Sequence, residues 1–378
     1  MIERVIFTGD FLRPLDGADG LGLSGQAAFR PSQTENIAWF HRLMRRRLAE
    51  ATGLGCEVRA WGKGIDTPLL YRLLELDRSI SGWAEACSML EVPAEAVRHI
   101  ESVFRASLVI SFELPESVKR ILSHLRIPFI DVVIHPVRFL PDVFFAIQTN
   151  RAEIFHAMQA HDMPSASFRD WADLLSASVV RLPQPSVARD TALLIGQTNV
   201  DRSLISAGVL QNFGHHAERL RSLLQGQDQI LFKPHPYNQA PFGLYDIGLP
   251  HRALHWTSTN VYALLAQENI DRVISISSSV LIEAGFFGKQ AIMLGKPPFD
   301  FAEGSREPHP AQHLGIYDAC FETDFWRDAL APVLPVTRRC GTRFRRPPNT
   351  LRLSLRNFWG YNEITTDFLV ELHRAGRA

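Results

Sequence analysis

The feature that most constrains this chain is an alternation of short apolar runs with amphipathic segments, which begins near the N-terminus, lapses and begins again. The first run spans 5–7 and stops at Gly9-Asp10, which reads as a buried strand ending in a turn. Apolar residues recur at helical spacing over 37–48, with Arg45, Arg46 and Arg47 on the polar side. The same reading gives strands over 56–61, 108–112 and 127–134, and helices over 69–76, 94–104 and 115–125. Strand, helix, strand, helix in that order folds as a parallel sheet covered on both faces.

A looser stretch over 162–190 holds Pro164, Pro183 and Pro185 and the polar run 165–170. The alternation then resumes. Strands are expected over 192–195, 229–232, 272–276 and 291–294, and helices over 213–224, 261–267 and 280–287. The fold class is α/β with two such units in series, and 378 residues are enough for two cores. The expected organisation is an N-terminal domain over 1–185, a C-terminal domain over 186–346, and a helical tail over 347–378 that crosses back to the N-terminal domain.

Lys and Arg number 40, as do Asp and Glu, so the formal net charge is zero. A dedicated nucleic-acid binder carries a basic excess, so that partner class is excluded. Cys56, Cys87, Cys320 and Cys340 lie far apart, which suits a reducing compartment and gives no zinc signature. His215-His216 has no Cys or Asp at ligand spacing, so no metal and no cofactor are expected. The N-terminus lacks a basic region before a long apolar core, and no stretch approaches the ~20 apolar residues of a membrane span. The expectation is a cytoplasmic enzyme. The basic run over 338–346 reads as a solvated face, or as a peripheral contact with the inner membrane near a lipid-linked acceptor.

In a parallel αβ sheet, ligands bind beyond the carboxyl ends of the strands. Three polar clusters fall there in the second unit. Gly196-Gln197-Thr198-Asn199-Val200-Asp201 offers an amide and a carboxylate, or simply a turn and helix cap. Lys233-Pro234-His235-Pro236 holds an imidazole between two prolines, and Lys233 and His235 can neutralise a phosphate. Ser277-Ser278-Ser279 precedes a helix, where hydroxyls and free backbone N–H groups make an anion site. Glu283, one turn further on, can accept from ribose hydroxyls or favour the positive helix end. In the first unit Glu113 follows a strand, and Asp131, His135 and Arg138 cluster around the next one. Each also has a plain structural reading: a helix-start charge for Glu113, a surface cation for Arg138.

The ordered set LLIGQTNVD, LFKPHP and ISISSSVLIEAGFFGKQAIMLGKPPF resembles the bacterial retaining β-Kdo transferases of capsule and lipopolysaccharide assembly. The resemblance covers about 190–300 and extends more weakly over 108–150. It implies the GT-B architecture, two Rossmann-like domains with parallel sheets facing an interdomain cleft. It also implies CMP-Kdo as donor and a surface polysaccharide or lipopolysaccharide glycan as acceptor. Gln197 and Asp201 match the family's glutamine-to-aspartate spacing, with the aspartate as nucleophile. His235 matches the histidine that holds the CMP phosphate, and Ser277, Ser278 and Ser279 match the serine motif on the nucleotide side. The acid/base is an acidic residue of the N-terminal domain, Glu113 or Asp131. Where capsule members carry a more acidic stretch after the glutamine, this chain has Thr198-Asn199-Val200.

Two other readings use the same features. One is an inverting GT-B transferase using CMP-sialic acid; the other is a non-catalytic GT-B-like scaffold in envelope glycan assembly. An NAD-dependent enzyme is disfavoured, because no GxGxxG follows an expected strand.

Overall fold

The computed structural model describes residues 2–14, 33–181, 186–235, 242–249, 254–338, 347 and 350–355. In chain order the strands are β1 (Arg4–Gly9), β2 (Cys56–Val58), β3 (Ala60–Trp61), β4 (Gly64–Ile65), β5 (Ser107–Phe112), β6 (Phe129–Ile134), β7 (Phe145–Thr149), β8 (Thr191–Ile195), β9 (Ile205–Ser206), β10 (Val209–Leu210), β11 (Gln229–Lys233), β12 (Leu254–Trp256), β13 (Ile270–Ser275), β14 (Gln290–Met293) and β15 (Leu314–Ile316).

The chain divides into two units. The first comprises Met1–His135, Phe144–Met163 and Phe299–Pro348; the second comprises Pro136–Val143, Pro164–Pro298 and Asn349–Ala378. Each unit is therefore discontinuous in sequence, where continuous stretches over 1–185 and 186–346 were expected. The stretch 136–143 leaves β6 and returns to β7, yet it packs with the second unit.

The first unit holds a six-stranded sheet in the order β15-β7-β6-β5-β1-β2. β2, β1, β5 and β6 are parallel, as the alternation predicts. β7 is antiparallel to β6 and to β15, so the sheet is mixed and the expectation of a parallel sheet is corrected at this edge. The reason is the connection: the ten residues from His135 to Phe144 carry no helix, and a parallel return needs a dozen or more residues, usually with one. β5, β6 and β7 are buried along their whole length. The helix Gln33–Thr52 turns Ile37, Phe40, Met44 and Leu48 inward at helical spacing, and Phe40 meets Phe7, Phe112 and Phe145 at ring separations of 5.6–6.0 Å.

β1 ends where it must. A Cβ on Gly9 would lie 2.5 Å from the Phe112 carbonyl oxygen and 2.8 Å from Ile37 Cγ1. Asp10 then closes the turn that its sequence suggests: Oδ1 accepts from the N–H groups of Leu12 and Arg13, and Oδ2 accepts from Trp83 Nε1.

The second unit holds a five-stranded sheet, β12-β11-β8-β13-β14, in which all neighbours are parallel. Ala192, Leu194, Ile230, Phe232 and Ile274 form one buried face and pack with Leu204, Phe213, Leu220, Phe242 and Ile247. The stretch expected to be loose contains the fifteen-residue helix Ala166–Val180. It buries only Phe168, Ala172 and Val179, too sparse a stripe to announce itself.

The described part of the tail is the helix Thr350–Leu355. Asp142 caps it, its two carboxylate oxygens accepting from the N–H groups of Leu351 and Arg352. Arg352 donates to the carbonyls of Arg138 and Leu140. The tail thus meets residues that precede position 185 but belong to the second unit. Residues 348–349 and 356–378 of the tail, Pro236 and the basic run over 339–346 lie outside the described residues. No helix among the described residues is long and apolar enough to cross a membrane.

Candidate active site

The second sheet gathers the three polar clusters at one edge. β8, β11 and β13 are parallel neighbours, so the segments after Ile195, Lys233 and Ser275 leave the sheet at their shared carboxyl ends. Gly196 N–H donates to the Lys233 carbonyl, and a Cβ on Gly196 would lie 3.0 Å from the Phe232 ring and 3.3 Å from Pro234 Cα. The absence of a side chain there lets the Gln197 segment and the Lys233 segment run close together.

Gln197 is buried, and its amide ties β8 to β13. Oε1 accepts from Ser277 N–H at 3.0 Å and faces Ser275 Oγ at 3.2 Å. Nε2 donates to Ser277 Oγ at 3.2 Å and to Ser203 Oγ at 3.3 Å. Ser275 Oγ also donates to the Ile195 carbonyl at 2.7 Å. A buried amide left unsatisfied costs about 1–3 kcal/mol per group, so this lattice sets the geometry of the strand ends.

Asp201 stands at the start of the short 3-10 turn Arg202–Leu204, and its Oδ1 accepts from Ser203 N–H at 2.9 Å. Leu204 buries its side chain in the core beneath that turn. One carboxylate oxygen is thereby held, and the second has no hydrogen-bond or ionic partner among the described residues. Capping explains the first contact; a carboxylate that attacks needs its second oxygen clear.

The three serines occupy different environments. Ser277 is almost fully buried in the Gln197 lattice, Ser278 Oγ accepts from Val280 N–H at 3.3 Å, and Ser279 is half-buried at the start of the helix Val280–Phe286. Lys233 donates to the Ser258 carbonyl at 3.4 Å, and His235 is half-buried two residues beyond it.

Glu283 faces inward, away from solvent. Its Oε1 accepts from Arg138 N–H at 2.7 Å and from the Tyr262 hydroxyl at 3.0 Å. Burial raises its carboxyl to about 7, against the lowering pull of the Arg138 N–H, the Arg138 and Arg352 charges and the Tyr262 hydroxyl. The nearby Glu283 charge and burial push Tyr262 upward as well, burial being the larger cause. Arg138 acts on this group through its backbone N–H and its charge.

In the first unit Glu113 and Asp131 are neighbours with unlike surroundings. Asp131 is fully buried; its Oδ1 accepts from Ser111 Oγ at 2.7 Å and Leu114 N–H at 2.9 Å, and its Oδ2 lies 3.0 Å from Lys119 Nζ. Lys119 also pairs with the exposed Glu116 at 2.8 Å. Glu113 is half-buried at the end of β5, with a φ of 60° and its N–H on the Val132 carbonyl. A left-handed glutamate is uncommon, and strained backbone concentrates at functional positions. Asp131 holds the residues on both sides of it, which keeps Glu113 in that conformation. His135 is buried against Phe144 and Phe301, at ring separations of 4.0 and 4.8 Å.

Sequence reasoning missed Ser203, Ser275, Lys119 and Tyr262. Ser275 lies inside the serine segment but was passed over, and Ser203 and Tyr262 lie outside the quoted segments; the strand register and helix packing bring these residues to the site.

No family model matches the sequence, and no curated protein matches it. Among solved structures, the chain is similar to Thermosulfurimonas dismutans KpsC, beta Kdo 2,7 transferase, at 12% identity and a TM-score of 0.33, over 63% of this chain and 79% of that chain. It is also similar to Thermosulfurimonas dismutans KpsC, beta Kdo 2,4 transferase, at 16% identity and a TM-score of 0.35, over 58% of this chain and 78% of that one.

Proposed function

We propose that the chain is a retaining GT-B glycosyltransferase that moves Kdo from CMP-Kdo to a surface polysaccharide or lipopolysaccharide glycan. The observation that carries this reading is the convergence of Asp201, the Lys233–His235 segment and Ser277–Ser279 at the carboxyl ends of three adjacent parallel strands. The sequence resemblance of those same segments to the β-Kdo transferases supplies the donor.

Retention of configuration requires two displacements at the anomeric carbon. In the first, an Asp201 carboxylate oxygen bonds to that carbon. The bond to the phosphate oxygen breaks, and CMP leaves with the electron pair. Lys233, His235 and the half-buried Ser279 neutralise the departing phosphate. In the second, the acceptor hydroxyl attacks the same carbon, its proton passes to a carboxylate base, and the Asp201 carboxylate is released. The resemblance gives the acid/base role to an acidic residue of the N-terminal stretch, Glu113 or Asp131; Asp131 is engaged by Ser111, Leu114 and Lys119. Gln197 shapes the site through Ser203, Ser275 and Ser277.

The test is intact-mass spectrometry of the protein mixed with CMP-Kdo. A covalent sugar adduct that maps to Asp201 and is absent from Asp201→Ala is the expected result. Turnover of CMP-Kdo with no adduct overturns the nucleophile. Turnover of CMP-sialic acid instead points to the inverting transferase, and saturable CMP binding without any turnover points to a scaffold.

A further inference from the structure

Ser203 holds a proton with only one place to go. Gln197 fixes the direction of the hydrogen bonds around it. Its Oε1 accepts from the obligatory donor Ser277 N–H, so its Nε2 is the donor to both Ser203 Oγ and Ser277 Oγ. The two hydroxyls lie 3.1 Å apart and share one further hydrogen bond. Ser277 is almost fully buried and has no other acceptor for its proton among the described residues, so it donates to Ser203. Ser203 Oγ then accepts twice, from Gln197 and from Ser277, which fills both lone pairs. Its own O–H has no acceptor among the described residues, and the residue is half-exposed. That hydroxyl belongs to the residue whose N–H holds Asp201 Oδ1.

We propose that Ser203 is a substrate-binding residue whose hydroxyl donates to the carboxylate that the donor sugar carries on its anomeric carbon. The proposal rests on the reading of Asp201 as nucleophile. An oxygen of Asp201 must reach the anomeric carbon, and in a 2-keto acid sugar the carboxylate is attached to that atom. A donor with its proton fixed outward, two residues from the nucleophile, therefore meets the carboxylate and selects for sugars of this class. Gln197 and Ser277 act as positioning residues behind it.

The experiment compares wild type with Ser203→Ala and Ser203→Thr. Three quantities are measured: the rate of adduct formation at Asp201 from CMP-Kdo, the KM for CMP-Kdo, and the dissociation constant of CMP alone, which lacks the sugar. A hydrogen bond to a charged group carries a factor on the order of 10 to 100. In Ser203→Ala the rate of adduct formation divided by KM is expected to fall by about that factor, with CMP binding unchanged; Ser203→Thr, which keeps a hydroxyl, recovers most of it. Adduct formation at the wild-type rate in Ser203→Ala overturns the inference and leaves the nucleophile standing. So does a parallel loss of CMP affinity in both variants, which marks a scaffold role. A wild type that turns over without any adduct at Asp201 removes the reading and this inference together.

Discussion

Replacing Glu283 with Gln keeps an oxygen for the Arg138 N–H and the Tyr262 hydroxyl but removes a carboxyl whose burial raises it from 4.5 to about 7. Between those values the folded protein keeps a proton that the unfolded chain has lost. Unfolding there releases a proton, so rising pH favours unfolding, and the native state carries its full penalty above pH ~7. With one unit worth about 1.36 kcal/mol, the penalty is about 0.8 kcal/mol at pH 5 and about 3.3 kcal/mol at pH 8. Glu283→Gln is therefore expected to gain about 2.5 kcal/mol on wild type across that interval. Groups shared by the two proteins cancel in the difference. Urea denaturation of both proteins at pH 5, 6, 7 and 8 measures it. A difference that stays flat with pH, or that favours wild type as pH rises, refutes the account of Glu283 as a buried, engaged carboxyl.

Three further outcomes are expected. Asp131→Asn removes the buried charge that pairs with Lys119 and should cost about 3 kcal/mol, read from the urea midpoint; a loss under ~0.5 kcal/mol, the size of a surface change, means the pair does not support the β5–β6 connection. Gly9→Ala forces a Cβ against the Phe112 carbonyl and Ile37, and should destabilise by about 1–3 kcal/mol in the same assay, with an unchanged midpoint as the contrary result. Burial raises the Cys56 thiol to about 11, so at pH 8 its alkylation by iodoacetamide, followed by peptide mapping, should be at least tenfold slower than that of free cysteine; labelling at the free-cysteine rate contradicts that environment.

The parallel strands were legible because strands buried on both faces read as continuous apolar runs, and β5 and β6 do. The direction of β7 was not, because its residues look like any buried strand and only the length of the preceding connection decides it. β15 has three residues and lies far in sequence from the strand it joins, so local pattern is silent. At the site, Gln197, Asp201 and the serines stood out by position, while Ser203 and Ser275 looked like ordinary polar residues. Glu283 was placed correctly on its helix, but the partner that turns it inward is Arg138, 145 residues earlier. Contacts of that range follow from packing, which no local window contains.

The placement of β15 bears on how the chain is made. It completes the first sheet at β7, yet it is translated after every strand of the second sheet. During synthesis the nascent first sheet therefore exposes the open edge of β7 until more than 160 further residues have emerged, counting from Thr149 to Leu314. An unpaired edge is a template for pairing with another chain. A fragment ending near position 185, which a linear view of the domains recommends for expression, keeps that edge bare for good and is expected to aggregate where the full chain does not.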